Sequence, residues 1–320
     1  MMNNYSNNQQ TYQNHIDGIR AIAVVVVWLF HLNPYFFPGG YIGVDIFFVV
    51  SGYVITLSIF NDIKKEKKFK FLYFYKKRFF RIFPALFFTV FFVFLFYLFF
   101  GYLFELNYVS KIAIASLLGL SNIFYIYLKS DYFLENELNP FLHTWSLGVE
   151  EQFYFLYPIL IIFLIFSSTI FPKLKVNSSL RLICLTIILL SFFCFFSYGN
   201  EKIGNFYSPL ARFWEIVFGC LLFLIFENKK IKINTIIISL LIIIFIFIIF
   251  FDNYINNIYI TLIFAVLFST ILIISNNNFL NQFNNVYISY LGKISYSLYL
   301  WHLPVLYFSK IYFQGIFFIF

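Results

Sequence analysis

Two ionisable residues, Arg20 and His31, bracket ten consecutive apolar residues in DGIRAIAVVVVWLFH. Eleven helical steps of about 100° make roughly three turns, so both side chains share one helix face, about 16 Å apart along the axis. Ionisable groups inside membrane helices are costly and usually face a protein interior or a water-filled cavity. A neutral imidazole at that depth can act as a base, and a guanidinium near the surface can hold an anion. A snorkelling arginine and a histidine bonded to a neighbouring helix fit the same pattern. These residues alone leave both readings open. Asp17 and Asp45 lie in the same stretch, residues 16–56.

Four further clusters carry polar chemistry. FLHTWSLGVEEQFYFLYP, residues 141–158, holds His143, Trp145, Glu150 and Glu151. Adjacent helical carboxylates point about 100° apart, so one at most aims squarely at a site. Tyr154 can reach either. The same residues would also suit a helix entrance in the headgroup region. In NFYSPLARFWEIVFG, Arg212 and Glu215 are an i,i+3 pair, suited to mutual neutralisation or to holding a substrate anion. In GKISYSLYLWHLPV, Ser295, Ser297, Tyr299 and His302 interrupt an apolar helix, with Tyr299 and His302 on one side. Arg78 and Arg81 in RFFRIFPA could converge on a phosphate or form an ordinary positive flank.

The elements that must position these groups are membrane helices. Of 320 residues 62% are hydrophobic and 11% charged, which with long apolar runs predicts an all-α, polytopic transmembrane helical bundle. Ten spans are expected, at about residues 17–37, 41–60, 82–103, 111–128, 150–170, 180–198, 207–226, 233–251, 257–275 and 288–309. Residues 1–15, rich in Asn and Gln, read as a disordered cytoplasmic tail without the basic start and cleavage site of a signal peptide. Nine of the 22 basic residues crowd into residues 64–81, which puts that loop and the N-terminus on the cytoplasmic side. Counting onward from there places the loop with Lys229, Lys230 and Lys232 outside, against the same rule. The net charge of +8 is therefore a juxtamembrane feature and does not imply nucleic acid as a partner. Cys184, Cys194 and Cys220, odd in number and without paired spacing, indicate neither a disulfide framework nor a metal site.

Taken in order, these motifs resemble the acyltransferase 3 family of integral membrane acyltransferases, which includes bacterial O-antigen acetylases. DGIRAIAVVVVWLFH is similar to the family's Arg-x10-His element, GGYIGVDIFFVVSGYVI to its second-helix signature, and RFFRIFPA to its Arg-x-x-Arg element. FLHTWSLGVEEQFYFLYP, FYSPLARFWEIVFG and ISYSLYLWHLPV are equally close, and the resemblance covers roughly residues 15–305. It implies a membrane domain over residues 16–309, in the inner membrane of a bacterium. It also implies an acyl-CoA donor, acetyl-CoA above all, used as substrate with no bound cofactor. The acceptor implied is a hydroxyl of a surface polysaccharide, such as lipopolysaccharide, or of a lipid-linked sugar. By the same resemblance His31 is the catalytic residue with Arg20 its partner, and Arg78 and Arg81 hold coenzyme phosphates. Glu150 or Glu151 would orient the ring or stabilise the imidazolium. Asp45, His143, Trp145, Arg212, Glu215, Tyr299 and His302 support the site or touch substrate. Direct transfer is expected over an acyl-enzyme, because no Ser or Cys sits beside a base at recognisable spacing. Family members generally continue into a further helix with a Val-Glu-x-Pro motif, and some add an SGNH-type domain. Residues 310–320 are expected to be a stub of that helix, with no SGNH-type domain. A transporter of lipid-linked sugar or acyl groups, and a truncated, inactive family member, remain the rival expectations.

Overall fold

The computed structural model describes residues 2–66, 70–100, 105–130, 132–133, 139–171, 175–197, 206–227, 229–255, 257–276 and 285–312. Side chains are described from His15 onward, excepting 65–66, 169 and 311–312. Among these residues lie eleven α-helices and one 3-10 turn. They are α1 (Met2–Leu32), the 3-10 turn Pro38–Ile42, α2 (Gly43–Glu66), α3 (Phe71–Phe100), α4 (Leu106–Leu117), α5 (Ser121–Leu128), α6 (Thr144–Ile170), α7 (Val176–Ser197), α8 (Pro209–Phe226), α9 (Thr235–Ile255), α10 (Ile258–Ile274) and α11 (Val286–Tyr312). The chain is a multi-pass membrane protein. Seven of the described helices are long and apolar enough to cross a bilayer: α1, α2, α3, α6, α7, α8 and α9.

The other three of the roughly ten expected spans are shorter or more polar than these seven. Residues 111–128 are two short helices, α4 and α5, because Gly119 adopts φ +66° and turns the chain. Helices of 12 and 8 residues fall well short of a hydrocarbon core about 30 Å thick. Helix α10 has 17 residues. Helix α11 is long enough, but its serines, tyrosines, Lys293 and His302 dilute its apolar character. At the other end, α1 begins at Met2, upstream of the boundary expected at Ile16. Once the apolar part supplies the nucleus, extending a helix adds one hydrogen bond per residue fixed. Residues 313–320, where most of the expected helix stub falls, lie outside the described residues.

The helices form two compact units. One comprises Met1–Val54 with Phe218–Tyr299, the other Ile55–Val217 with Leu300–Phe320. In the first, the GGYIG segment threads between α1 and α9. A Cβ on Gly39 would strike the Ile248 carbonyl, and one on Gly43 the Ala23 carbonyl, so only glycine allows backbones this close. Tyr41, in the same turn, donates its hydroxyl to Asp252 Oδ2 at 3.1 Å and lies 2.8 Å from Thr261 Oγ1, tying the turn to α9 and α10. The second unit is built on α3 and α6. Helix α3 lines up Phe79, Phe83, Phe87 and Phe91 at four-residue spacing with nearly parallel rings, and three of the four are exposed. On a spanning helix such a face meets lipid. Pro84 and Pro158 sit inside α3 and α6 without ending them, as is common in membrane helices.

Candidate active site

In the first unit α1 runs unbroken through Arg20 and His31, and both side chains are half-buried. His31 stands in the last turn of α1, where Nδ1 lies 2.9 Å from the Val27 carbonyl. A carbonyl only accepts, so Nδ1 carries the hydrogen and the neutral ring holds its lone pair on Nε2. Phe30 packs edge-on against the imidazole at 5.1 Å between centroids. Asp45 is fully buried in the first turn of α2, where the helix dipole favours an anion. Tyr299 is buried, edge-on to Phe47 at 5.9 Å. Ser295 is buried beside it in sequence, whereas Ser297 is exposed.

In the second unit α3 meets α6 through three functional groups. The Arg78 guanidinium carbon sits 3.3 Å from the centre of the Tyr154 ring. Tyr154 in turn donates its hydroxyl to Glu150 Oε2 at 3.2 Å. Both Glu150 and Glu151 lie within electrostatic reach of Arg78. The Arg78 Nε is buried and meets no acceptor among the described residues. Arg81, one turn on, is more exposed than Arg78 and lies within electrostatic reach of it. Glu151 is directed to the α4–α5 elbow, where its carboxylate fills the space a Cβ on Gly119 would need. Gln152 reinforces that elbow by donating to the Gly119 carbonyl at 3.0 Å and to Asn122 Oδ1 at 2.8 Å.

Arg212 and Glu215 lie deeper. Both side chains are completely buried, and Nη1 meets Oε1 at 2.7 Å. Arg212 Nε also donates to the Phe206 carbonyl at 3.2 Å, and the guanidinium lies 4.7 Å from the Phe206 ring centre and 5.5 Å from that of Trp145. Arg212 thus has a carboxylate partner and no accessible surface. His143, immediately before α6, and His302 on α11 are both buried with rings 5.2 Å apart, edge to face.

Separate motifs thus join within the second unit: Arg78 with Tyr154 and Glu150, His143 with His302, Arg212 with Trp145. Gly119, Asn122 and Gln152 were not anticipated. The sequence signal for Gly119 and Asn122 is the GLSN break in an apolar run, which reads as a helix end followed by polar turn residues, and Gln152 stands beside Glu151 in FLHTWSLGVEEQFYFLYP.

The model of the acyltransferase 3 family, described as an acyltransferase domain, matches residues 13–319. O-acetyltransferase OatA of Staphylococcus aureus strain COL is 32% identical over 320 residues, covering 95% of this chain and 52% of the relative. Putative O-acetyltransferase SAS0844 of Staphylococcus aureus strain MSSA476 is 28% identical over 317 residues, covering 94% of this chain and 52% of the relative. The chain spans about half the length of these curated relatives. No solved structure matches. With the family model matching nearly the whole of its length, this chain belongs to the acyltransferase 3 family.

Proposed function

We propose that this chain is a membrane O-acyltransferase of a bacterial inner membrane. It moves an acetyl group from cytoplasmic acetyl-CoA to a hydroxyl of a cell-surface polysaccharide or a lipid-linked sugar. The observation that carries this reading is the His31 ring, whose Nδ1–H is committed to the Val27 carbonyl so that Nε2 is the basic nitrogen. A thioester is already activated, so the reaction needs a base for the hydroxyl and a stabiliser for the developing oxyanion. The acceptor oxygen attacks the thioester carbonyl while its proton passes to Nε2. The C–S bond then breaks, and the leaving thiolate takes the proton back from the imidazolium. Arg20, on the same helix face, favours anionic groups near the membrane surface. Arg78 and Arg81 bind the coenzyme's phosphates. The relatives, named O-acetyltransferases, favour acetyl as the group moved.

Turnover of labelled acetyl-CoA by the purified chain in nanodiscs tests this. Wild type is expected to release coenzyme A and pass label to an acceptor glycan. His31→Ala should lose about 10²–10⁴-fold in rate with protein level and membrane insertion intact. Full transfer by that variant would rule out His31 as the base. Vectorial movement without turnover would make the protein a transporter. Mass spectrometry of surface glycans with and without the protein identifies the acceptor.

A further inference from the structure

We infer that Tyr154 is a positioning residue whose ring holds Arg78 for the donor and whose hydroxyl holds Glu150, coupling donor binding to the state of that carboxylate. The inference rests on the donor role proposed for Arg78. It goes further by assigning separable tasks to the two halves of one side chain.

The geometry gives each half its own partner. The guanidinium carbon stands over the ring, 3.3 Å from its centroid. A cation over an aromatic face gains from the ring quadrupole, more so when water is excluded, and Tyr154 is buried. The ring stabilises the guanidinium without neutralising it. Its donor edge stays available as well, since Nε meets no acceptor among the described residues. A planar fork held this way is preorganised for a phosphate, with less rotamer freedom to lose on binding. The hydroxyl works at the far end of the ring, donating to Glu150 Oε2 at 3.2 Å. That hydrogen bond fixes the orientation of the carboxylate. Glu150 lies within electrostatic reach of Arg78, so an anion arriving at Arg78 alters the field at Glu150 while Tyr154 keeps both groups in place.

Two substitutions separate the halves. Tyr154→Phe keeps the ring and removes the hydroxyl, so the donor KM should stay within about twofold while kcat falls about tenfold or more. Tyr154→Leu removes the ring, so the donor KM should rise about tenfold. Arg78→Lys keeps the charge and removes the guanidinium plane. It should raise the donor KM similarly, and combining it with Tyr154→Leu should add little, because both remove one contact. Donor affinity by calorimetry and kinetics would be measured on the full chain in nanodiscs, with acetyl-CoA as the probe. Phe and Lys serve as conservative variants in case Leu disturbs packing. Equal effects of Phe and Leu on KM and kcat, or additive effects of Lys and Leu, would overturn the inference even though wild type binds acetyl-CoA. A wild-type chain that binds no acetyl-CoA would overturn the donor assignment, and this inference with it.

Discussion

Removing the Glu215 carboxylate separates a supporting role for Arg212 from a substrate-holding one. The pair is completely buried at 2.7 Å, and the Arg212 Nε is already committed to the Phe206 carbonyl. Glu215→Ala would take the carboxylate partner away from a fully buried guanidinium, at a cost of roughly 3–5 kcal/mol. Arg212→Met would strand the carboxylate at a similar cost. Replacing both, as Arg212→Met with Glu215→Leu, removes both charges together and should recover most of the loss. The Phe206 carbonyl would still lack its donor, a residual cost of about 1–3 kcal/mol. The coupling measured in a double-mutant cycle should then come to several kcal/mol. Chemical unfolding in detergent provides the stabilities, and acetyl-CoA turnover on the surviving folded fraction provides the activity. The supporting role predicts unstable single variants and a double variant that folds and keeps its substrate KM. Stable single variants, or a well-folded double variant with a sharply raised KM, would refute the reasoning and give Arg212 a ligand.

Gly119→Ala should destabilise the chain by at least the 1–2 kcal/mol or so that a left-handed residue costs, because φ there is +66°. It should also lower turnover, since the new methyl group displaces the Glu151 carboxylate; unchanged unfolding and activity would show that the elbow is not a constraint. Arg78→Ala and Arg81→Ala should each weaken acetyl-CoA binding at low salt. Because Arg81 is exposed and Arg78 has a buried Nε, the Arg81 effect should fade above about 0.5 M salt while the Arg78 effect persists; identical salt dependence would count against that difference in exposure.

The membrane character was legible because apolar length is a direct physical requirement for crossing a bilayer. The candidate site was legible for the converse reason: a charge in an apolar run is expensive, so Arg20, Asp45, Arg212 and Glu215 each demanded an explanation. Two kinds of information were not available from the chain alone. The break at Gly119 hides in a stretch whose average hydropathy is that of a spanning helix, since one glycine in a left-handed conformation hardly changes it. Pairings between distant segments were hidden as well. Helical spacing put Tyr154 within reach of Glu150, and the structure has that bond. Nothing in the spacing could bring Arg78 of α3 onto the face of Tyr154, or His302 of α11 beside His143. Such contacts depend on packing between helices.

Two arginines in this unit show how a guanidinium survives in a membrane helix, and the difference bears on function. Arg212 is neutralised: a carboxylate at 2.7 Å takes its charge and Phe206 takes another of its hydrogens. To bind a substrate anion it would have to give up a fully buried ion pair. Arg78 is supported by an aromatic face at 3.3 Å, an interaction worth about 0.5–2 kcal/mol that lowers the cost of the charge without cancelling it. Its Nε–H has no acceptor among the described residues. A phosphate approaching Arg78 therefore meets an oriented guanidinium whose neighbouring carboxylates, Glu150 and Glu151, act at a distance and not as a close ion pair among the described residues. The chemistry of the partners, more than depth or sequence motif, makes Arg78 the arginine to test for the donor and Arg212 the one to test for stability.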